Sequence, residues 1–279
     1  MPHSTPTRRR GRGLVATLVV LAVLGVGGWF GVRYLAERFS FVLPMDPRCV
    51  ASVNGQVVTI TPEQAGNAAI IVGEAQRRGL APRASSIALA TAWQESGLRN
   101  LDYGDLDSVG LFQQRPSQGW GTAAQIMDPW YASGKFYEAL VKIKGWETAD
   151  LNDIAQQIQI SAFPQAYRKH VPNARALASA LTGETPASFT CAGTKGSGTP
   201  ASAQAFVGKA FGGRVTVAMA SGTVTLTGDA TAVWSATHLV MAASGPSSVS
   251  VAGRTWTNGS SSWAGAASGE ATSATLTWS

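Results

Sequence analysis

Charge is scarce in this chain. Charged residues make up 14% of its 279 residues, against roughly a quarter in an average domain. The excess of +6 sits largely at the front, where residues 1–32 hold Arg8, Arg9, Arg10 and Arg12 and no acid. Residues 49–191 carry eleven bases against twelve acids. A phosphate-binding surface needs clustered lysine and arginine, so nucleic acid is excluded as a partner of the body. Only two cysteines and three histidines occur. That excludes a disulfide-dense scaffold. His3, His170 and His238 lie far apart, so no zinc spacing forms and no metal is expected. P-loop, Rossmann and Gly-x-Ser-x-Gly patterns are missing too, and no cofactor is expected. The hydrophobic fraction of 45% is ordinary and excludes wholesale disorder.

What is there begins with the basic tail, residues 1–12, and the uncharged run Gly13–Val32. Twenty helical residues span about 30 Å, the thickness of a hydrocarbon core. Trp29 and Phe30 lie where rings favour the interface. This predicts a transmembrane anchor with a cytoplasmic N-terminus, a single pass through the cell membrane, and an extracellular body. A cleaved signal peptide is the alternative, and it exports the body equally. Cys49 and Cys191 bracket the main domain and fit an exported disulfide. Two unrelated buried thiols are the other reading.

Residues 33–60 read as a connector with one strand-like run, Gln56 to Ile60. Helices then dominate. Thr61-Pro62-Glu63-Gln64 is a capping box with proline at the first helical position. Ala68, Ile71, Val72 and Ala75 follow at helical spacing, and Gly79 is a stop. A second helix runs from Pro82 to Ser96 and is apolar on nearly every side, which marks a central buried helix. Asp128-Pro129 opens a third that ends at Gly145, Asp150 caps a fourth, and Pro172–Leu181 is the last. Residues 192–203 are rich in Gly, Ser, Thr and Pro and read as a linker. Beyond it, strand-like runs at 215–217, 224–226, 249–251 and 275–277 flank a helix at 230–243. The expected fold is a mainly α domain over 61–191, an N-terminal transmembrane helix, and a small α+β accessory domain over 204–279.

The chemistry concentrates in Trp93-Gln94-Glu95-Ser96-Gly97 and Asp107-Ser108-Val109-Gly110-Leu111-Phe112-Gln113-Gln114. Glu95 falls in the last turn of the most apolar helix. Burial raises a carboxyl's pKa, and the negative end of the helix dipole disfavours its anion. Both favour a protonated acid, which a general acid for glycosidic cleavage requires, as in lysozyme. A solvated helix-end glutamate is the plain alternative. Glu95-Ser96-Gly97, with Gln113 of Gly-Leu-Phe-Gln eighteen residues after Glu95, resembles the lytic transglycosylase family with the lysozyme-like fold. Asp128-Pro129 followed by Phe136-Tyr137-Glu138-Ala139-Leu140 resembles that family's next helix. Phe112 stands where the family usually has Met. The family's Ala-Tyr-Asn element is not present as such, and Tyr167 is the candidate for its tyrosine.

The resemblance covers about 60–190 and implies a peptidoglycan-cleaving enzyme acting on the MurNAc–GlcNAc bond. Glu95 would be acid and then base. Ser108 and Gln113 would hold N-acetyl or hydroxyl groups, Phe112 would wall the site, and Ser96 and Tyr167 complete the substrate-binding set. Trp120, in a Gly/Pro-punctuated loop, either stacks on a sugar or folds back onto the core. Asp102, Asp105 and Asp107 are available as a second carboxylate, although loop acids usually serve as caps or stay solvated. Glycan strands are the expected partner, alongside the membrane through the N-terminal helix. A catalytically inactive glycan-binding or structural envelope module on the same fold is the rival reading.

Overall fold

The computed structural model describes residues 46–161, 163–193 and 198–278. The basic tail, the proposed anchor over 13–32 and residues 33–45 of the connector lie outside them. Among the described residues no helix is long and apolar enough to cross a membrane.

The chain enters through two strands, β1 (Arg48–Val53) and β2 (Gln56–Ile60), which pair antiparallel. Asn54 (φ 49°) and Gly55 (φ 82°) make the two-residue turn between them. A turn with positive φ at both central positions matches the twist of the flanking strands, and Asn-Gly tolerates it best. Strand β3 (Phe189–Ala192) pairs with β1, giving the sheet order β2-β1-β3. Cys49 lies opposite Cys191 in that ladder, and the two form a disulfide.

Helix α1 (Pro62–Arg77) starts at a full capping box between Thr61 and Gln64. Helix α2 (Pro82–Ser96) is buried at every residue from Ala84 to Ala92. Its Ala/Ser-rich surface lets neighbours approach closely, while Ile87 and Leu89 supply the bulk. Each such fully buried side chain contributes about 1.5–3 kcal/mol. Helices α3 (Ala123–Ile126), α4 (Pro129–Leu140), α5 (Leu151–Gln159) and α6 (Val171–Leu181) follow. Helix α2 packs against α1, α4, α5 and α6.

The second half comprises α7 (Pro200–Phe211), β4 (Val215–Ala220), β5 (Thr223–Gly228), α8 (Ala230–Ser244), β6 (Ser248–Val251), β7 (Arg254–Thr257) and β8 (Ser273–Thr277). Its strands form one antiparallel sheet in the order β4-β5-β8-β6-β7. Helix α8 lies on strands β5 and β8 and also packs on α1 and α6.

The expected fold class therefore needs correcting. The described chain is not a mainly α domain with a small separate appendage. It carries two antiparallel sheets, and Pro47–Ser279 form one compact unit. Helix α8 is the reason: it is buried on nearly all sides, so it serves both halves as core. Within the expected connector the strand-like run Gln56 to Ile60 is strand β2, while Arg48–Val53, not expected as a strand, is β1, and both belong to the first sheet. Within the expected linker, α7 begins at Pro200 behind a Thr199 cap. The helix expected to reach Gly145 ends at Leu140. Beyond it the chain turns, burying Trp146, and Arg83 donates to the Trp146 carbonyl at 3.0 Å.

Candidate functional site

Helix α2 ends at Ser96, with Gly97 in the left-handed conformation (φ 64°) as its cap. Glu95 is thus held in the final turn, half-buried. Ser96 faces the other way. It is buried, and its hydroxyl lies 2.8 Å from the Leu111 carbonyl and 3.0 Å from that of Ala92, while accepting from the Arg99 N–H at 3.2 Å. It ties the helix end to the turn at 110–113 and is not open to a substrate.

That turn is closed by an antiparallel bridge between Val109 and Gln114. Phe112 within it is fully buried and stacks on Phe136, ring centres 4.6 Å apart. It is a core residue rather than a wall of the site. Gln113 (φ 47°) lines the cleft. Its amide nitrogen donates to the carbonyls of Gly110 at 3.2 Å and Tyr103 at 3.3 Å. The backbone at Gly104 presses against that amide so closely that a Cβ would collide with it.

The cleft holds about 820 Å³ and takes in Glu95, Ser108, Gln113 and Trp120. Trp120 lines the cleft and also packs on the hydrophobic core. Gln94, Gln114, Gln118, Gln159 and Ser161 also line the cleft, and Asp105, Arg115, Ile158, Ile160 and Phe163 complete it, so about half of the wall is neutral amides and hydroxyls. Such groups both donate and accept, which suits sugar hydroxyls and acetamido groups.

Tyr167 is fully buried, and its hydroxyl donates to Glu95 Oε1 at 2.6 Å. Burial pushes the Glu95 carboxyl above its ordinary range; hydrogen bonds from Tyr167 and Gln159 pull it part of the way back. Tyr167 is itself raised, first by burial and then by the neighbouring Glu95. The loop acids divide. Asp107 pairs with Arg115 at 2.7 Å and accepts from the Ser117 N–H at 2.8 Å, which holds it at about 2. Asp105 lines the cleft and is exposed. Asp102 does not line it. His170 stacks on Trp93, lies 3.2 Å from Gln94 Oε1, and is lowered by burial to about 4.

Structure therefore brings Glu95, Ser108, Gln113 and Trp120 to the cleft, buries Tyr167 against Glu95 where no substrate reaches it, and turns Ser96 and Phe112 into the core. Sequence reasoning passed over Gln159, which donates to the Phe112 carbonyl at 2.8 Å. Its signal was faint: a polar residue directly after the apolar face of α5, before Ile160 takes a left-handed conformation (φ 53°).

The chain matches no protein-family model and no curated protein.

Proposed function

We propose that this chain is an exported enzyme that cleaves the MurNAc–GlcNAc bond of peptidoglycan, with Glu95 acting first as acid and then as base. One observation carries the reading. Glu95 is a half-buried carboxyl, raised above its ordinary range, bonded by a buried tyrosine, in a cleft lined by amides. A carboxyl so placed keeps its proton nearer neutral pH than an exposed glutamate does.

Glu95 passes its proton to the bridging glycosidic oxygen, and the bond from that oxygen to C1 breaks. The downstream sugar leaves as an alcohol. The 6-hydroxyl oxygen of the remaining sugar closes on C1, and its proton goes to the Glu95 carboxylate. The product is a 1,6-anhydro sugar, no water is consumed, and Glu95 returns to the acid. Asp107 is committed to Arg115, which leaves Asp105 as the one of the three loop acids that lines the cleft beside Glu95. The disulfide between Cys49 and Cys191 favours export, because such bonds persist in oxidising compartments.

Digestion of purified sacculi, read by mass spectrometry, tests the reading. Wild-type protein is expected to release 1,6-anhydro-muropeptides, and Glu95→Gln to lower release at least a hundredfold, the usual scale of a general acid's contribution. Release of hydrolysed ends without anhydro ends would point to an attacking water. Wild-type protein that binds glycan strands and releases nothing would replace the enzyme by the glycan-binding module.

A further inference from the structure

Seven large hydrophobic side chains stand in solvent among the described residues. Four of them, Tyr103, Leu106, Ile160 and Phe163, sit on the two stretches of chain that also give the cleft Asp105, Ser108, Gln159 and Ser161. Ile160 and Phe163 line the cleft themselves.

Isoleucine is an odd choice at 160. The residue caps α5 in the left-handed conformation (φ 53°), with its N–H bonded to the Gln156 carbonyl. Glycine is the usual occupant of such a cap, because a Cβ is strained there and a β-branched side chain more so. Burial does not offset the strain, since Ile160 is 84% exposed. Fold and solubility both disfavour this side chain, and it stands at the cleft. Strained residues of this kind collect where ligands are held.

Phe163 is 75% exposed. Its ring is free, but its backbone is not. The Phe163 N–H donates to the Ser161 hydroxyl at 3.2 Å, and its carbonyl accepts from the Ala166 N–H at 3.0 Å. Gln156 and Asn152 reach out from α5 to the Ser161 and Pro164 carbonyls, at 2.7 Å and 2.9 Å. Both apolar side chains are thus presented from a backbone that is already fixed, so a ligand need not order it.

We propose that Ile160 and Phe163 form an apolar lip that receives the C–H face of a pyranose ring of the glycan strand, with the Phe163 ring stacked on the sugar. The proposal deepens the reading of the cleft as a glycan site and rests on it. A pyranose carries hydroxyl and acetamido groups at its edge and C–H bonds on its faces. The edge suits the neutral amides of Gln94, Gln113 and Gln118. The faces need apolar surface, and the aromatic rings lining this cleft are Trp120 and Phe163. Covering the exposed Phe163 ring takes apolar area out of water, which is favourable in proportion to that area. Charge argues for the sugar over a peptide stem, which ends in carboxylate. Asp105 is an exposed acid in the wall, and the one base in it, Arg115, is paired to Asp107. An anionic stem would meet an acid and no unpaired base.

Calorimetric titration with the hexamer of β-1,4-linked N-acetylglucosamine, a glycan without peptide, tests the proposal. Glu95→Gln in the full chain serves as the common background, so that nothing is turned over. Phe163→Ala should weaken binding about tenfold, whereas Phe163→Trp, which keeps a flat face, should stay within about twofold. Ile160→Asn separates binding from fold. Asparagine tolerates the left-handed conformation, so the urea midpoint should hold or rise while the hexamer binds more weakly. A residue kept for the fold would do the reverse. With Glu95 restored, Phe163→Ala should raise KM on sacculi about tenfold and leave kcat within about twofold, as expected for a contact made equally in ground and transition states. Equal affinity of the parent and Phe163→Ala for the hexamer overturns the proposal. So does a hexamer that fails to bind, whether or not a free peptide stem binds in its place. Cleavage of sacculi would in either case leave the enzyme reading standing. Phe163-dependent binding by a protein that releases nothing from sacculi supports the lip and sinks the enzyme reading, so the two fail separately.

Discussion

Ser96 and Glu95 are neighbours in sequence with opposite duties. A helix turns about 100° per residue, so the side chain that follows Glu95 points well away from it. Glu95 takes the cleft, and Ser96 takes the buried side, bonding the Leu111 carbonyl at 2.8 Å. Ser96→Ala should therefore cost about 1–3 kcal/mol of stability, because the Leu111 carbonyl loses its partner in a buried place. KM for glycan should not move at all. Urea unfolding together with sacculus kinetics checks this, and a raised KM at unchanged stability would return Ser96 to the substrate. The Glu-Ser pair was legible in the sequence as a motif, and Tyr167 was the candidate for the tyrosine of an element not present as such; the structure sets its hydroxyl 2.6 Å from Glu95. The direction in which each motif residue points was not legible. Phe112 could be read as a wall of the site only because nothing local says that the 110–113 turn rolls its ring onto Phe136.

At the scale of elements, the loop over 102–108 and the turn over 110–113 act as one piece. The Gln113 amide donates to the Tyr103 carbonyl, and Gly104 packs against that amide with no room for a side chain. Gly104→Ala should push Gln113 off its carbonyls and shift the loop, together with Asp105, at the cleft. Cleavage should fall about tenfold or more, since small displacements of groups around a reacting centre are costly, and the melting temperature should fall too, because the added Cβ also meets the Ser108 carbonyl. Wild-type kinetics in that variant would show that the loop does not shape the cleft. Helices α1, α2 and α5 were readable because their signals are local: a capping box at Thr61, proline after Ala81, aspartate at 150. Strands β1 and β3 were not, because their pairing joins residues 142 apart in sequence at the Cys49–Cys191 disulfide. The Asn54-Gly55 turn did carry a local hairpin signal. Helix α7 was hidden by a composition that favours a linker, and its packing on α1 and α8 outweighs that weak preference.

For the molecule as a whole, His238 sits where the two sheets' helices meet. It is fully buried in α8, and its Nδ1 lies 2.7 Å from the Ala180 carbonyl of α6. Phe189, Trp234 and Trp263 surround its ring. Nε2 has no partner among the described residues, so the neutral ring fits and the charged ring does not. Burial lowers its pKa to about 4, with the Ala180 carbonyl pulling back upward. In the unfolded chain a histidine titrates near 6.5. Between those values the unfolded state binds the proton and the folded state does not. Stability from this group is therefore complete above about pH 6.5 and is lost as pH falls toward 4. From pH 7 to pH 5 the loss should be about 2 kcal/mol, in a range where most carboxylates are still ionised in both states. His170, also lowered to about 4, pushes the same way but is only half-buried and so contributes less. Urea unfolding of wild type and His238→Gln at the two pH values separates them. The variant should be less stable at pH 7 and much flatter between pH 7 and pH 5. Equal slopes in the two proteins would mean that this histidine reaches water before the fold opens, and that the two halves can part there without unfolding.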